Sequence, residues 1–193
     1  MPGRATAADA QLSDEELEAR WKQGSAPAFA ALFERYHAQL YRYCLRLTGN
    51  PTVSEDLVQD VFMRMLKHRA GFKPETGFAP WMFRIARNAG IDHLRRPPRD
   101  NAEIPDEQLL PGDEDAPDEQ AEHDESVRLL RRALLRLPLD RREVLLLSRF
   151  EFKKYDEVAR LLGCSVSAVK VRAHRAIKQL RKIYQELENE AAT

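Results

Sequence analysis

The chain has 193 residues, 43% hydrophobic and 32% charged, with 31 Lys and Arg against 31 Asp and Glu. That is a globular, charge-rich composition with room for one large or two small domains, and no apolar run nears the ~20 residues of a membrane span. The neutrality hides a split: residues 100–125 hold 12 acids and no Lys or Arg, which leaves 31 basic against 19 acidic residues elsewhere, a basic body with an acidic insert.

Residues 1–12 are small and polar without a period and are expected to be disordered. They contain no apolar h-region of a secretory signal, so the sequence predicts a cytoplasmic protein without membrane insertion. Ser13, with Glu16 three places on, reads as a capping box opening a helix to about Lys22, which GSAPA (24–28) breaks. From Ala28 to Leu47, residues Phe29, Leu32, Phe33, Tyr36, Leu40, Tyr43 and Leu47 return at helical steps. TGNP (48–51) ends that helix. Ser54 is the expected cap of the next, with Glu55 and Asp56 where the macrodipole favours acids and Leu57, Val58, Val61, Phe62, Met65 and Leu66 on its apolar face. AGFKPETGFAP (70–80) reads as a loop, and Trp81–Arg96 as a helix stopped by RPP.

Residues 97–125 are rich in Pro and acids and bury too little to fold alone, so a flexible acidic linker is expected. Helical segments follow near 126–136, 140–150, 155–162 and 166–187, with a tail at 188–193. EVLLLSRF (143–150) could pass for a buried strand, but its neighbours are helical and helix is the reading. The expected fold class is all-α: two small helical domains, 13–96 and 126–187, joined by the linker. Cys44 and Cys164 lie 120 positions apart, which suits two free thiols better than a disulfide framework. The five histidines do not cluster with them at metal-ligand spacing. Nothing resembles a Gly-rich phosphate loop or a nucleophile elbow. No cofactor, metal or catalysis is expected.

The most informative stretch is YDEVARLLGCSVSAVKVRAHRAI (155–177), which reads as helix, tight turn, helix. Gly163 permits the turn and Ser165 is a natural cap. Val166, Val169, Ala173, Ala176, Ile177 and Leu180 make the stripe expected to pack inward. Ser167, Lys170, Val171, His174, Arg175 and Lys178 then lie outward, with no acid among them. A major groove admits one helix, the first turns of which reach base edges, while nearby cations bind phosphate. The segment therefore predicts DNA binding. A similar run occurs in tetrahelical output domains of response regulators, so a stand-alone regulator is one alternative. A helical adaptor that never touches DNA is another, and the acid-free basic face argues against it.

The N-terminal half decides among them. SEDLVQDVFMRMLKHRAGFKP (54–74) and FAPWMFRIARNAGIDHLRR (78–96) resemble region 2 of bacterial sigma factors, in particular the small extracytoplasmic-function type. Asp56, Gln59, Asp60 and Phe62 match that family's first signature. Trp81, Arg84, Ile85, Ala86, Asn88, Asp92 and Arg95 match its second. Residues 126–184 are similar to its region 4. The resemblance implies a promoter-recognition subunit with region 2 in 13–96 and region 4 in 126–187. Region 2 would dock on the clamp helices of the largest subunit of core RNA polymerase through Asp56, Gln59, Asp60, Phe62 and Leu66. It would read the melted −10 element through Phe78, Trp81, Arg84, Arg87, Asn88, Asp92, Arg95 and Arg96. Region 4 would meet the flap of the second-largest subunit and the −35 groove, the latter through Ser165, Ser167, Lys170, Val171, Arg172, His174, Arg175 and Lys178. The acidic linker would follow polymerase channels otherwise occupied by nucleic acid. Met82 stands where housekeeping relatives have a second Trp, which implies weaker melting. An anti-sigma factor is the further partner the resemblance implies.

Overall fold

The computed structural model describes residues 11–95, 120–150 and 154–191. The described residues are helices and turns without a strand, in keeping with the all-α expectation. The order is α1 (Asp14–Lys22), α2 (Ala26–Thr48), α3 (Pro51–Lys67), α4 (Phe78–Arg95), α5 (Gln120–Leu135), α6 (Leu139–Leu145), α7 (Tyr155–Leu162) and α8 (Val166–Ala191). Most of the expected disordered N-terminus, the expected linker up to residue 119 and Arg96 lie outside the described residues. Two compact units emerge, Met1–Cys44 with Thr52–Pro97, and Leu45–Pro51 with Pro98–Thr193.

The first unit starts as its sequence dictates. The Ser13 hydroxyl accepts from the Glu16 N–H at 3.3 Å, and the Glu16 carboxylate accepts from the Ser13 N–H at 2.9 Å, closing the capping box. Ser25 caps α2 by accepting from the Ala28 N–H at 3.3 Å. The core is aromatic. Trp21 lies 5.1 Å from Phe72, 5.6 Å from Phe78 and 5.8 Å from Trp81, ring centroid to ring centroid. Phe62 lies 4.6 Å from Phe33, and Tyr43 meets Phe83 edge to face at 5.3 Å. Such pairs each add about 0.5–1.5 kcal/mol beyond the area they bury.

Two boundaries differ from expectation. Helix α3 begins at Pro51, so Ser54 is not its cap but a fully buried residue within the helix. Proline suits a first helical position because its missing N–H would go unpaired there anyway. Helix α4 begins at Phe78, three residues early, because a distant carboxylate caps it: Glu18 accepts from the Phe78 N–H at 2.7 Å.

In the second unit Leu129, Ala133, Leu134, Leu137, Leu145, Ala176, Ile183 and Leu187 form the core, with Leu130, Ile177, Leu180 and Tyr184 packed against it. Helix α5 begins at Gln120, so the last part of the expected linker is helical. Helix α8 runs to Ala191, through most of the expected tail, because Ile183 and Leu187 extend the buried line. Of the stripe expected to pack inward, Val169, Ala173 and Ala176 are buried and Ile177 and Leu180 partly so. Val166, in the first turn, is 38% exposed instead.

Candidate nucleic-acid interface

The helix-turn-helix is built from α7 and α8. Glu157 accepts from the Lys154 N–H at 3.3 Å at the start of α7, and Val158 and Ala159 face inward. Gly163 closes α7 with φ 63 and ψ 37, left-handed backbone that other residues adopt at a cost. The Ser165 hydroxyl accepts from the Ala168 N–H at 3.1 Å and so starts α8. Every proposed contact on α8 is exposed: Ser165, Ser167, Lys170, Val171, Arg172, His174, Arg175 and Lys178. Ser167, Lys170, His174 and Lys178 recur at three- and four-residue steps, with Val171 and Arg175 beside them. Arg172 stands apart, on the flank towards the buried line. No acid occurs on α8 before Glu186. Among the described residues Lys170, Arg172, Arg175 and Lys178 enter no ion pair, whereas Lys182 pairs with Glu186 at 3.6 Å. The arrangement is a protruding cationic helix face, the shape and charge that a major groove accepts.

In the first unit α4 presents Arg84, Asn88, Asp92 and Arg95 along one exposed face, at steps of four, four and three. Arg87 is half-buried and donates to the Asn88 side-chain oxygen at 3.4 Å. Two expected contacts, in the first turn of α4, are not exposed. Phe78 is fully buried between Tyr36 and Trp21, and Trp81 is buried against Trp21 and Phe72. Contact with the aromatic core removes these rings from solvent, so in this conformation neither offers a platform to a base.

Helix α3 presents a different chemistry. Asp56, Gln59, Met63 and Leu66 repeat at steps of three, four and three on one face, with Met63 64% and Leu66 43% exposed. Asp60 stands beside them, held by Arg64 at 2.7 and 2.9 Å. Phe62, expected on this face, points the other way into the core against Phe29 and Phe33. Met63 is the residue that the sequence reading missed, although the same spacing would have found it. A cleft of about 540 Å³ between α2 and α3 continues the surface, lined by Phe33, His37, Tyr41, Arg42, Glu55 and Gln59 among others. The Phe33 ring stacks on His37 at 5.3 Å. Burial, with the nearby Glu55 carboxylate, raises the Tyr41 hydroxyl above its ordinary range, keeping it a neutral donor.

Residues 32–99 match the family model of Sigma-70 region 2, and residues 128–180 that of Sigma-70 region 4. The chain is 35% identical to the RNA polymerase sigma factor CarQ of Myxococcus xanthus over 90% of its length and 98% of that protein's. It is 32% identical to the extracytoplasmic-function sigma factor SigX of Bacillus subtilis, over 80% of this chain and 82% of the relative. Among solved structures it is similar to CnrH in complex with the cytosolic domain of CnrY, with a TM-score of 0.68 at 27% identity, covering 90% of this chain and 97% of CnrH.

Proposed function

Because the chain belongs to the extracytoplasmic-function family of RNA polymerase sigma factors, which bring core polymerase to promoters, we propose a division of labour among its exposed faces. The α3 face of Asp56, Gln59, Asp60, Met63 and Leu66, with the adjoining cleft, docks on the clamp helices of the largest polymerase subunit. Carboxylates there suit arginine partners, and the two exposed apolar side chains suit a dehydrated centre. The α4 face of Arg84, Asn88, Asp92 and Arg95 meets the −10 element, with Arg87 behind it. Phe78 and Trp81 serve this face by anchoring the first turn of α4 in the aromatic core. The α8 face enters the −35 major groove, and its unit also meets the flap of the second-largest subunit.

Functionally, 13–96 acts as region 2 and 126–187 as region 4, and the acidic segment between them accompanies nucleic-acid channels of the polymerase. Sigma factors are not an enzyme class, and nucleotidyl transfer belongs to the core. No helix of the described residues is long and apolar enough to cross a membrane, and the protein works in the cytoplasm, where its partners are. An anti-sigma factor restrains it. The family resemblance supports that partner.

The observation that carries the reading is the cationic, acid-free face of α8, unpaired and opposite a buried line. Run-off transcription with purified core polymerase on a promoter pool tests it, wild type beside Lys170→Ala/Arg175→Ala. Wild type should initiate at discrete starts, and the double variant should bind core and fail to initiate. A wild type that binds core yet starts nowhere overturns the reading.

A further inference from the structure

On the α8 face one side chain does not belong with the others. Val171 is 49% exposed, and its neighbours along the face are Ser167, Lys170, His174, Arg175 and Lys178, every one polar or cationic. At about 100° per residue it points roughly 160° away from each of Val169 and Ala173, and so cannot share their packing. A β-branched residue at an exposed helix position loses side-chain freedom and gains little burial. The fold therefore derives little from a valine here. The contribution must come from what the face meets.

Base edges in the major groove present hydrogen-bond donors and acceptors, and one apolar group, the C5-methyl of thymine. A branched aliphatic side chain between phosphate-binding cations, in the second turn of the inserted helix, is matched to that group alone. Serine or lysine at this place would seek an acceptor. Valine can only exclude water.

Resting on the −35 reading above, we propose that Val171 is a specificity-determining residue that selects a thymine within the −35 element by packing on its 5-methyl group. Lys170 and Arg175 fix the register that brings it there, and Val171 supplies discrimination and little of the affinity.

Substituting deoxyuridine for thymidine removes the methyl group and leaves every hydrogen bond. Holoenzyme made from core polymerase and the full chain is titrated on −35 duplexes in which each thymine of either strand is replaced singly by uracil. Wild type should bind roughly fourfold more weakly at one position, the size expected for one methyl group left in water. Val171→Ala and Val171→Ser should bind the thymine duplex more weakly by a similar factor and be indifferent to uracil at that position. Their circular dichroism should match wild type, since the residue lies outside the buried line of α8. If wild-type holoenzyme binds its promoter and no uracil substitution distinguishes it from Val171→Ser, the inference is wrong and the −35 reading survives. If wild-type holoenzyme shows no preference for promoter over random duplex, both fall.

Discussion

The Glu18 carboxylate accepts a hydrogen bond from the backbone N–H of Phe78, 60 residues further on, at 2.7 Å. Helix α1 thereby caps helix α4, the helix that carries the exposed face of Arg84, Asn88, Asp92 and Arg95 proposed for the −10 element. The same contact places the Phe78 ring against Trp21 and Tyr36. Glu18 is 5% exposed. Burial raises its carboxyl above the ordinary value of 4.5, with the Phe78 N–H opposing and Asp14 and Glu15 adding to the rise.

Removing that acceptor leaves a buried N–H unpaired, so Glu18→Ala should lower the stability of the first unit by about 1–3 kcal/mol. Glu18→Gln keeps an acceptor oxygen and should cost less. Both tryptophans, Trp21 and Trp81, belong to this unit, so their fluorescence in urea reads it selectively. The pH dependence has a definite sign. A raised carboxyl pKa means the native state holds the proton more tightly than the unfolded chain. The wild type's advantage relative to Glu18→Gln is then complete below about pH 4.5 and declines as pH rises through the native value. A difference between the two proteins that stays constant from pH 4 to 7 would show that the carboxyl is not desolvated.

Trp81 was expected at the nucleic acid, and its place in the aromatic core changes what its loss should do. Trp81→Ala should cost about 3–5 kcal/mol, as large-to-small changes of buried aromatics do, and Trp81→Phe much less. Acrylamide should quench the native fluorescence weakly, with or without promoter DNA. Unchanged stability together with lost promoter opening would instead return Trp81 to the DNA face.

The pattern of these differences is physical. Amphipathic period, the Ser13–Glu16 box, Gly163 and the Ser165 cap were legible because each depends on neighbours in sequence. The start of α4 was not, because its cap comes from Glu18 in another helix. Ser54 looked like a cap because its chemistry fits one, yet Pro51 starts the helix and Ser54 is buried. Aromatic residues at a helix start suit a core and a stacking surface equally well, and only tertiary contact separates the two for Phe78 and Trp81. Phe62 and Met63 are adjacent on α3 and so face about 100° apart. Phe62 is accordingly buried and Met63 exposed, which separates the expected apolar contact from the exposed one by one residue.

Gly163 sets the angle at which α8 leaves α7. No atom lies within 4 Å of where a β-carbon would sit, so only the backbone conformation resists substitution. Gly163→Val should cost about 1–3 kcal/mol and weaken −35 binding. Gly163→Asn, which tolerates left-handed backbone better, should retain most of both. Thermal melts of the two variants beside promoter affinity check this. Equal losses for Asn and Val would point to a hidden contact.

The α3 face separates docking from folding. Met63 and Leu66 contribute little to the core at their exposure. Met63→Asp and Leu66→Asp should therefore leave the urea midpoint near wild type and weaken binding to core polymerase at least tenfold, the loss typical when an interface centre is truncated. Asp60→Ala releases Arg64 from an exposed pair worth about 0–1 kcal/mol, so any larger effect belongs to the polymerase contact. Core binding that survives both aspartate variants would move the docking surface elsewhere on the first unit.

Salt dependence divides the cations of α8 by role. A phosphate contact releases counterions, so each such contact steepens the fall of affinity with salt by about one unit in the logarithmic slope. Lys170 and Arg175 lie on the protruding face without an acidic partner, and Lys170→Ala and Arg175→Ala should each reduce the slope by about one. Lys182 lies three turns beyond Lys170 and already pairs with Glu186 at 3.6 Å. Its replacement by Ala should change the slope by less than half a unit, because a cation held by a carboxylate displaces no counterion from a phosphate. Holoenzyme titrated on a promoter duplex across a range of potassium chloride concentrations measures all three. If Lys182→Ala lowers the slope as much as Lys170→Ala, the phosphate track runs the length of α8. A helix inserted by its first turns requires the opposite, a slope that depends on the N-terminal cations and is nearly blind to those beyond Lys178.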